Sequence, residues 1–485
     1  MSPGERILVV DVGTSSVRAV VVDHDARVVV EHRRPLLPDS PAPGLVEFDA
    51  AEMATCALDL ARAALDDAGP VAAVGIANQR GSSVVWDRAS GEPVARGLGW
   101  QDLRTVGRSL ELCADGLPVA PNHSATKFEA ILDAVDSERT RDLCAGTVDS
   151  WIAWSLTGGA LHVTDATNAL VTGLRAADNA EWDAAKCERL RIAATVLPEV
   201  VDSALPDGVP ASALPGAPPL AGIIGDQQAS LLGQGCVHTG DAKVTFGTGG
   251  MLDVVLGADR PAFTQRGKAG TYPIVTRRAR DVDTWGVECI ILSAGTAVEW
   301  LRDDLGVIDT TEASDAVAAS CDDTGDVWFV PALLGLGTPQ WDFGARGALI
   351  GLTRGTNRAQ IVRAVLEGVA HRGADLVEAA EADTGLHIAA LRVDGGMAAN
   401  TTFIQALADA TQRPVEVAPV REATALGAAF CAGLAVGLWT GDEEIAATWR
   451  PARRVQPKRA LDRERWRAAV ARAEAWYPNL TSLDL

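Results

Sequence analysis

Asp226 is the sharpest candidate for chemistry in this 485-residue sequence. It follows an apolar run, residues 220–224, in the stretch Gly225-Asp226-Gln227-Gln228, which reads as the start of a helix. An Asp in that place can be a helix N-cap. It can equally be a carboxylate at the C-terminal end of a buried strand, where open α/β sheets gather their sites. There the helix dipole would keep it ionised, and as a base it would align a hydroxyl and accept its proton late in a phosphoryl transfer. Arg80 and Trp100 each follow a short strand-like run. A Trp face can pack on the C–H groups of a polyol while an Arg donates to its hydroxyls; a surface Arg and a core Trp fit the same two positions.

Three glycine turns supply a second kind of chemistry. They are Asp11-Val12-Gly13-Thr14-Ser15-Ser16, then Phe246-Gly247-Thr248-Gly249-Gly250, then Asp394-Gly395-Gly396. Such turns expose backbone N–H groups that wrap phosphate oxygens without a lysine. Asp11 could hold Mg²⁺ directly or through water, and Thr14, Ser15 and Arg18 add donors. Each turn taken alone is also consistent with a purely structural role.

The elements that must carry these residues follow from periodicity. Residues 7–10 form a continuous apolar run and predict a buried strand. Residues 17–22 predict a second strand, 23–26 a hairpin turn and 27–30 a third strand. The first glycine turn therefore leads into a strand, whereas a P-loop or Rossmann turn leads into a helix. Neither the G-x-x-x-x-G-K-[ST] nor the G-x-G-x-x-G pattern occurs. Helix 51–68 carries Met53, Cys56, Leu60 and Ala64 on one face. Strand 72–76 runs into Asn78-Gln79-Arg80-Gly81, 84–86 is a further strand, and 128–135 and 151–156 are helical. Residues 206–219 are Pro-rich and read as a surface loop before strand 220–224. Residues 243–256 then repeat the strand, glycine turn, strand order of residues 8–22, roughly 235 residues later. Strand 391–394, helix 400–410 and an amphipathic helix at 462–476 complete the second half. This predicts two domains, 1–237 and 238–485, with a cleft where the glycine turns converge.

Composition limits the partners. Hydrophobic residues are 47% and charged residues 22% of the chain, ordinary for a globular protein. A net charge of −21 argues against nucleic-acid binding and against attraction to an anionic membrane. The eight cysteines contain no C-x-x-C and the seven histidines no metal-ligand spacing, which predicts reduced thiols and a cytoplasmic protein without zinc. Residues 423–439 are uncharged but rich in Ala and Gly, so a closely packed internal helix is expected rather than a membrane span.

With these residues in view, the sequence resembles the FGGY carbohydrate kinases, the glycerol kinases most closely. The resemblance runs from Ile7 to about Trp449 and rests on DVGTSSVRAVVVDHDA, AVGIANQR, GTVDSWIAW, LHVTDATNA, GIIGDQQASLLGQ, TFGTGG, GLGTPQWDFGARGALIGLTRG, LRVDGGMAAN and REATALGAAFCAGLAVGLW. The C-terminal family signature is complete: Gly347, Leu349, Gly351 and Leu352, then Gln360-Ile361 after a seven-residue gap, then Ala364 to Glu367. The N-terminal signature is partial, with Ser124 and Lys127 fitting and Asn122, Ala130 and Ala134 departing from it.

The resemblance implies an α/β, two-domain actin/hexokinase-like (ribonuclease H-like) ATPase fold with ATP in the interdomain cleft, and a homodimer or homotetramer as the usual assembly. It implies Asp226 as the general base and Asp11 as the residue that helps place Mg²⁺. It puts Gly13, Thr14, Ser15, Gly247 and Thr248 on the phosphates, with Gly295, Glu299, Gly395, Gly396 and Asn400 around the adenosine. Of the residues that hold glycerol in the family, Arg80, Trp100, Asp226 and Gln227 are present. The expected Glu is Gly81, the expected Tyr is Asn122 and the expected Phe is Met251. These changes predict lost acceptors and an enlarged pocket, with Asn122 or His123 meeting the extra hydroxyl of a longer polyol or of a four- or five-carbon sugar, and glycerol as a suboptimal substrate. The Arg that binds a sugar bisphosphate inhibitor in some bacterial members is replaced by Ala217, so that control is not expected. The expectation is therefore an ATP- and Mg²⁺-dependent kinase acting on a primary hydroxyl of a small polyol or sugar. The alternatives are a true glycerol kinase, an actin-like ATPase that needs no sugar pocket, and a sugar-binding regulator without catalysis.

Overall fold

The computed structural model describes residues 5–419 and 422–481. Ile7, Leu8, Val9 and Val10 are wholly buried because both faces of their strand are covered. Leu8 and Val10 pack on Met53, Ala57 and Leu60 of helix Ala50–Ala68. Ile7 and Val9 pack on Ala425, Ala428 and Ala432 of helix Ala423–Ala435. A run with no polar alternation is what a strand between two helical layers requires.

That strand, Arg6–Val12, lies parallel to Ala73–Asn78, which lies parallel to Pro219–Gly225. An antiparallel hairpin of Ser16–Asp23 and Val28–Pro35 extends the sheet on one side. The second sheet repeats this arrangement. Ala242–Phe246, Gly250–Gly257 and Val282–Ile291 form the antiparallel part, and Leu391–Asp394 and Val415–Val417 follow in parallel. Tyr272–Ala279 and Arg453–Val455 close its two edges. The order of the five central strands is thus the same in both sheets, and the two units of similar topology expected from the glycine turns are present. We propose to retain the boundary at 237/238, with the Ala423–Ala435 helix returning from the second half to cover the first sheet.

Two expectations change. The Pro-rich segment is not all loop: Ala204–Pro210 pairs antiparallel with Pro219–Gly225 at the edge of the first sheet, with a register shift between Ala204 and Val209. An edge strand tolerates proline because one row of its N–H groups needs no partner. The expected helix 462–476 ends earlier, as Arg463–Ala473, with Trp466 stacked 4.8 Å from His371 and donating to Asp375 at 3.1 Å.

The uncharged stretch is an internal helix, as expected. A Cβ on Gly75 would lie 2.6 Å from the Ala428 carbonyl oxygen, so the first sheet and this helix meet backbone to backbone. Among the described residues no helix is long and apolar enough to cross a membrane.

Candidate active site

Val12, Asn78 and Gly225 occupy one register row of the first sheet. The Gly13 turn, the Gln79-Arg80-Gly81 segment and Asp226 therefore leave the same sheet edge side by side. Gly225 is held there from behind. Its N–H donates to Thr167 Oγ1 at 2.9 Å, and the Thr167 hydroxyl donates to Asp165 at 2.7 Å. Asn168 and Asn78 exchange amide hydrogen bonds at 2.8 and 3.1 Å. The polar residues of LHVTDATNA are thus the support of the site edge.

Asp226 opens helix Asp226–Gly233, but the N-cap is Gly225 and no side chain caps the helix. The Asp226 carboxylate accepts only the N–H of its neighbour Gln227 at 2.8 Å and lies 3.6 Å from Arg80 Nε, with 29% of the side chain exposed. The capping alternative is therefore set aside: the carboxylate is partly exposed and faces Arg80. Burial raises the pKa of Asp226 above the usual carboxylate value, while Arg80 and the Gln227 N–H pull it down.

Arg80 donates from Nη2 to Glu288 Oε2 at 2.6 Å. Burial opposes its charge, yet Glu288 and Asp226 raise its pKa beyond the ordinary guanidinium value. Gln227 accepts from the Lys243 ammonium through Oε1 at 2.7 Å. Trp100 is half-buried and donates from Nε1 to Thr14 Oγ1 at 3.1 Å, tying it to the first glycine turn. Met251 is half-buried, opposite Thr245 and Ile290 on the second sheet.

Beside Gly81 itself the structure holds backbone rather than open space. Gly81 has φ +78°, and a Cβ there would lie 2.6 Å from the Asn122 carbonyl oxygen. The main chain of residues 121–123 fills the place of a side chain at 81. Lys127 fixes that chain by donating to the carbonyls of Pro121 at 2.6 Å and His123 at 2.9 Å, and Ser124 donates to the Gly81 carbonyl at 3.0 Å. His123 Nδ1 accepts the Ala120 N–H at 3.1 Å, which leaves Nε2 as the ring's donor. Burial, together with Lys186 and Lys127, pushes its pKa down to about 3, so it is neutral. The Asn122 residue is exposed. We expect Gly81→Glu, which restores the family residue, to lower stability and to raise rather than reduce KM for a polyol, since the new side chain would have to displace the 121–123 backbone. Thermal unfolding and initial-rate kinetics of the purified variant test this.

The second and third glycine turns also meet. In the second sheet Gly247 and Gly395 follow Phe246 and Asp394, and a Cβ on Gly395 would lie 2.3 Å from the Phe246 carbonyl oxygen. Gly295, at the start of helix Gly295–Asp303, donates its N–H to the Gly247 carbonyl at 2.8 Å. Glu299 is exposed on that helix. Asn400 is already engaged: its Oδ1 caps helix Thr401–Thr411 through the Phe403 N–H, and its amide nitrogen donates to Ser314. Arg18 pairs with both Asp11 and Glu422, so it joins the first sheet to the start of the Ala423–Ala435 helix. Burial raises the pKa of Asp11, and Arg18 opposes that rise.

These residues fit a magnesium nucleotide. Nothing lies within 4 Å of where a Cβ would stand on Gly247 or Gly396, and Ser15 and Thr248 are exposed, so both turns present open backbone. Among the described residues no cluster of three or more His, Cys, Asp or Glu could hold a metal by itself. A single carboxylate such as Asp11 suits Mg²⁺ that is otherwise held by phosphate oxygens and water. Sequence reasoning missed Glu288, Lys243 and Asp253. One sign of Lys243 was available: it is one of only five lysines and stands in the strand-like run that leads into a glycine turn.

Comparison with known proteins places the chain in a family. The sequence models of the FGGY family of carbohydrate kinases match residues 6–233 for the N-terminal domain and 242–436 for the C-terminal domain. The glycerol kinase of Aromatoleum aromaticum is 44% identical over 494 residues, covering 97% of this chain and 99% of that one. The glycerol kinase of Trichlorobacter lovleyi is 41% identical over 496 residues, with 97% and 99% covered. Among solved structures, Plasmodium falciparum glycerol kinase with ADP superposes with a TM-score of 0.89 at 27% identity and 99% coverage of both chains. A xylulose kinase from Brucella ovis superposes with a TM-score of 0.85 at 25% identity, covering 99% of this chain and 100% of that one. The chain belongs to the FGGY family of carbohydrate kinases and is an enzyme that transfers a phosphoryl group from ATP with Mg²⁺.

Proposed function

We propose that this enzyme phosphorylates a primary hydroxyl of a small polyol of glycerol's size, with Asp226 as the general base. The observation that carries this reading is the half-open carboxylate of Asp226 at the sheet edge, flanked by Arg80 and Gln227. The alcohol oxygen forms a bond to the terminal phosphorus as the bond from that phosphorus to the ADP oxygen breaks, and Asp226 takes the hydroxyl proton. Arg80 and Gln227 orient the alcohol, Trp100 packs against its carbon chain, and Met251 closes the opposite wall. Gly13, Thr14, Ser15, Gly247 and Thr248 donate to the phosphates, and Gly295, Gly395 and Gly396 border the nucleoside. Magnesium, held through Asp11, neutralises phosphate charge when bound.

The size assignment is supported by the 121–123 backbone occupying the space beside Gly81, and by the glycerol kinases among the relatives. A second reading, a longer polyol or a four- or five-carbon sugar, draws on the missing acceptors at Gly81 and Asn122. Unpaired substrate hydroxyls cost roughly 1–3 kcal/mol each. A screen of ADP release over glycerol, dihydroxyacetone, tetritols, pentitols and ketopentoses separates the two. The highest kcat/KM is expected with a three-carbon acceptor; a pentitol or ketopentose at least tenfold better would establish the second reading, and no acceptor-dependent turnover would refute both.

A further inference from the structure

A single register row crosses the seven strands of the second sheet, and every residue in it is polar: Tyr272, Glu288, Asp253, Lys243, Arg392, Glu416 and Arg454. Its centre is deeply buried, with Glu288 at 7% exposure and Asp253 and Lys243 at 0%. The opposite face of the same strands, with Val244, Leu252, Val254 and Val287, is ordinary apolar core. Buried ionic groups seldom out-stabilise apolar residues of the same volume, so the row needs a reason other than holding the sheet together.

Its contacts supply one. Two of the three central residues reach out of their own sheet to the side chains that flank Asp226. Glu288 accepts from Arg80 Nη2 at 2.6 Å, and the Lys243 ammonium donates to Gln227 Oε1 at 2.7 Å. Asp253 lies between them in the row, 2.8 Å from Lys243 Nζ, and balances its charge. An ammonium has no lone pair, so it can engage only the carbonyl end of the Gln227 amide. That choice fixes the amide's orientation and leaves Nε2 as a donor. Glu288 likewise ties one arm of a guanidinium whose Nε faces Asp226 at 3.6 Å.

We infer that Glu288 and Lys243 are positioning residues for the acceptor alcohol: from the second sheet they set the orientation of Arg80 and Gln227 in the first half of the chain. The inference rests on the proposed function. With glycerol and ATP as probes, or the best acceptor from the screen, Glu288→Gln and Lys243→Met are expected to raise KM for the alcohol about tenfold or more and to leave KM for ATP within about twofold. Glu288→Gln should add nothing in an Arg80→Gln background, and Lys243→Met should add nothing in a Gln227→Ala background. Equal shifts in both KM values, or effects that multiply in the double variants, would overturn the inference. If Lys243→Met fails to fold, the near-isosteric Glu288→Gln arm decides alone. A wild-type enzyme that turns over no alcohol refutes the functional reading instead, and an active wild type with an unmoved Glu288→Gln refutes only this assignment.

Discussion

Asp226→Asn is expected to lower kcat for phosphoryl transfer by about a thousandfold, within the range seen when a general acid or base is removed. The amide has the shape of the carboxylate and can still accept the Gln227 N–H at 2.8 Å. Arg80 keeps its stronger partner, Glu288. Fold and nucleotide binding should therefore persist, and only the acceptor for the alcohol's proton is lost. The pH profile offers a second check. Because burial raises the pKa of this group, the folded protein holds the proton more tightly than a free carboxylate with its value near 3.9. The acid limb of kcat/KM should accordingly fall as pH drops through a value above the ordinary carboxylate range. Stopped-time assays of ADP release and a thermal melt test both points. An Asn variant that retains most of the wild-type rate would remove Asp226 from the chemistry.

The second large effect concerns the helix pair behind the site. A Cβ on Gly427 would stand 1.9 Å from the Ala229 carbonyl oxygen, and one on Gly233 would stand 1.8 Å from that of Ala423. Neither contact can be relieved by turning a side chain, because the obstructing atoms are backbone. Gly427→Ala must push helix Ala423–Ala435 away from helix Asp226–Gly233 and disturb Ala425, Ala428 and Ala429, all wholly buried. A destabilisation of about 3 kcal/mol is expected, at the upper end for an overpacked core. Activity should fall as well, since Asp226 begins the helix that is displaced. Gly107→Ala serves as the control: nothing lies within 4 Å of its Cβ position in helix Val106–Ala114, so melting temperature and rate should stay at the wild-type level or rise slightly. Thermal denaturation of the two variants side by side distinguishes a contact-specific effect from a general cost of removing glycine.

Much of the architecture is a local property of the chain. The run Ile7 to Val10 with Asp11 after it, the glycine turns that lead into strands, and their recurrence from residue 243 onward specify duplicated sheets with open backbone at their edges. The Ala- and Gly-rich stretch from 423 likewise specifies a helix that can approach another backbone closely. Periodicity carries these features because each depends on residues only a few positions apart. Residues 206–210 were harder to read, since proline is as much at home in an edge strand as in a loop.

What surrounds Asp226 depends on tertiary contacts. Arg80 and Glu288 are 208 positions apart, and Arg18 and Glu422 are 404 apart. The meeting of the two sheets makes the first pair partners, and the return of the Ala423–Ala435 helix to the first sheet makes the second. The same holds for Gly81, which reads as a vacancy in the one-dimensional pattern and is filled by the Asn122 carbonyl in the folded chain. It holds for His123, whose Nδ1 is taken by the Ala120 N–H so that only Nε2 is left to act. The pKa of Asp226 belongs to this class too, because the desolvation that raises it is a property of the folded site. Residue order thus determines which groups are available and which elements carry them, whereas packing decides which of those groups remain free to touch a substrate, because volume and solvent access exist only once distant segments have closed on one another.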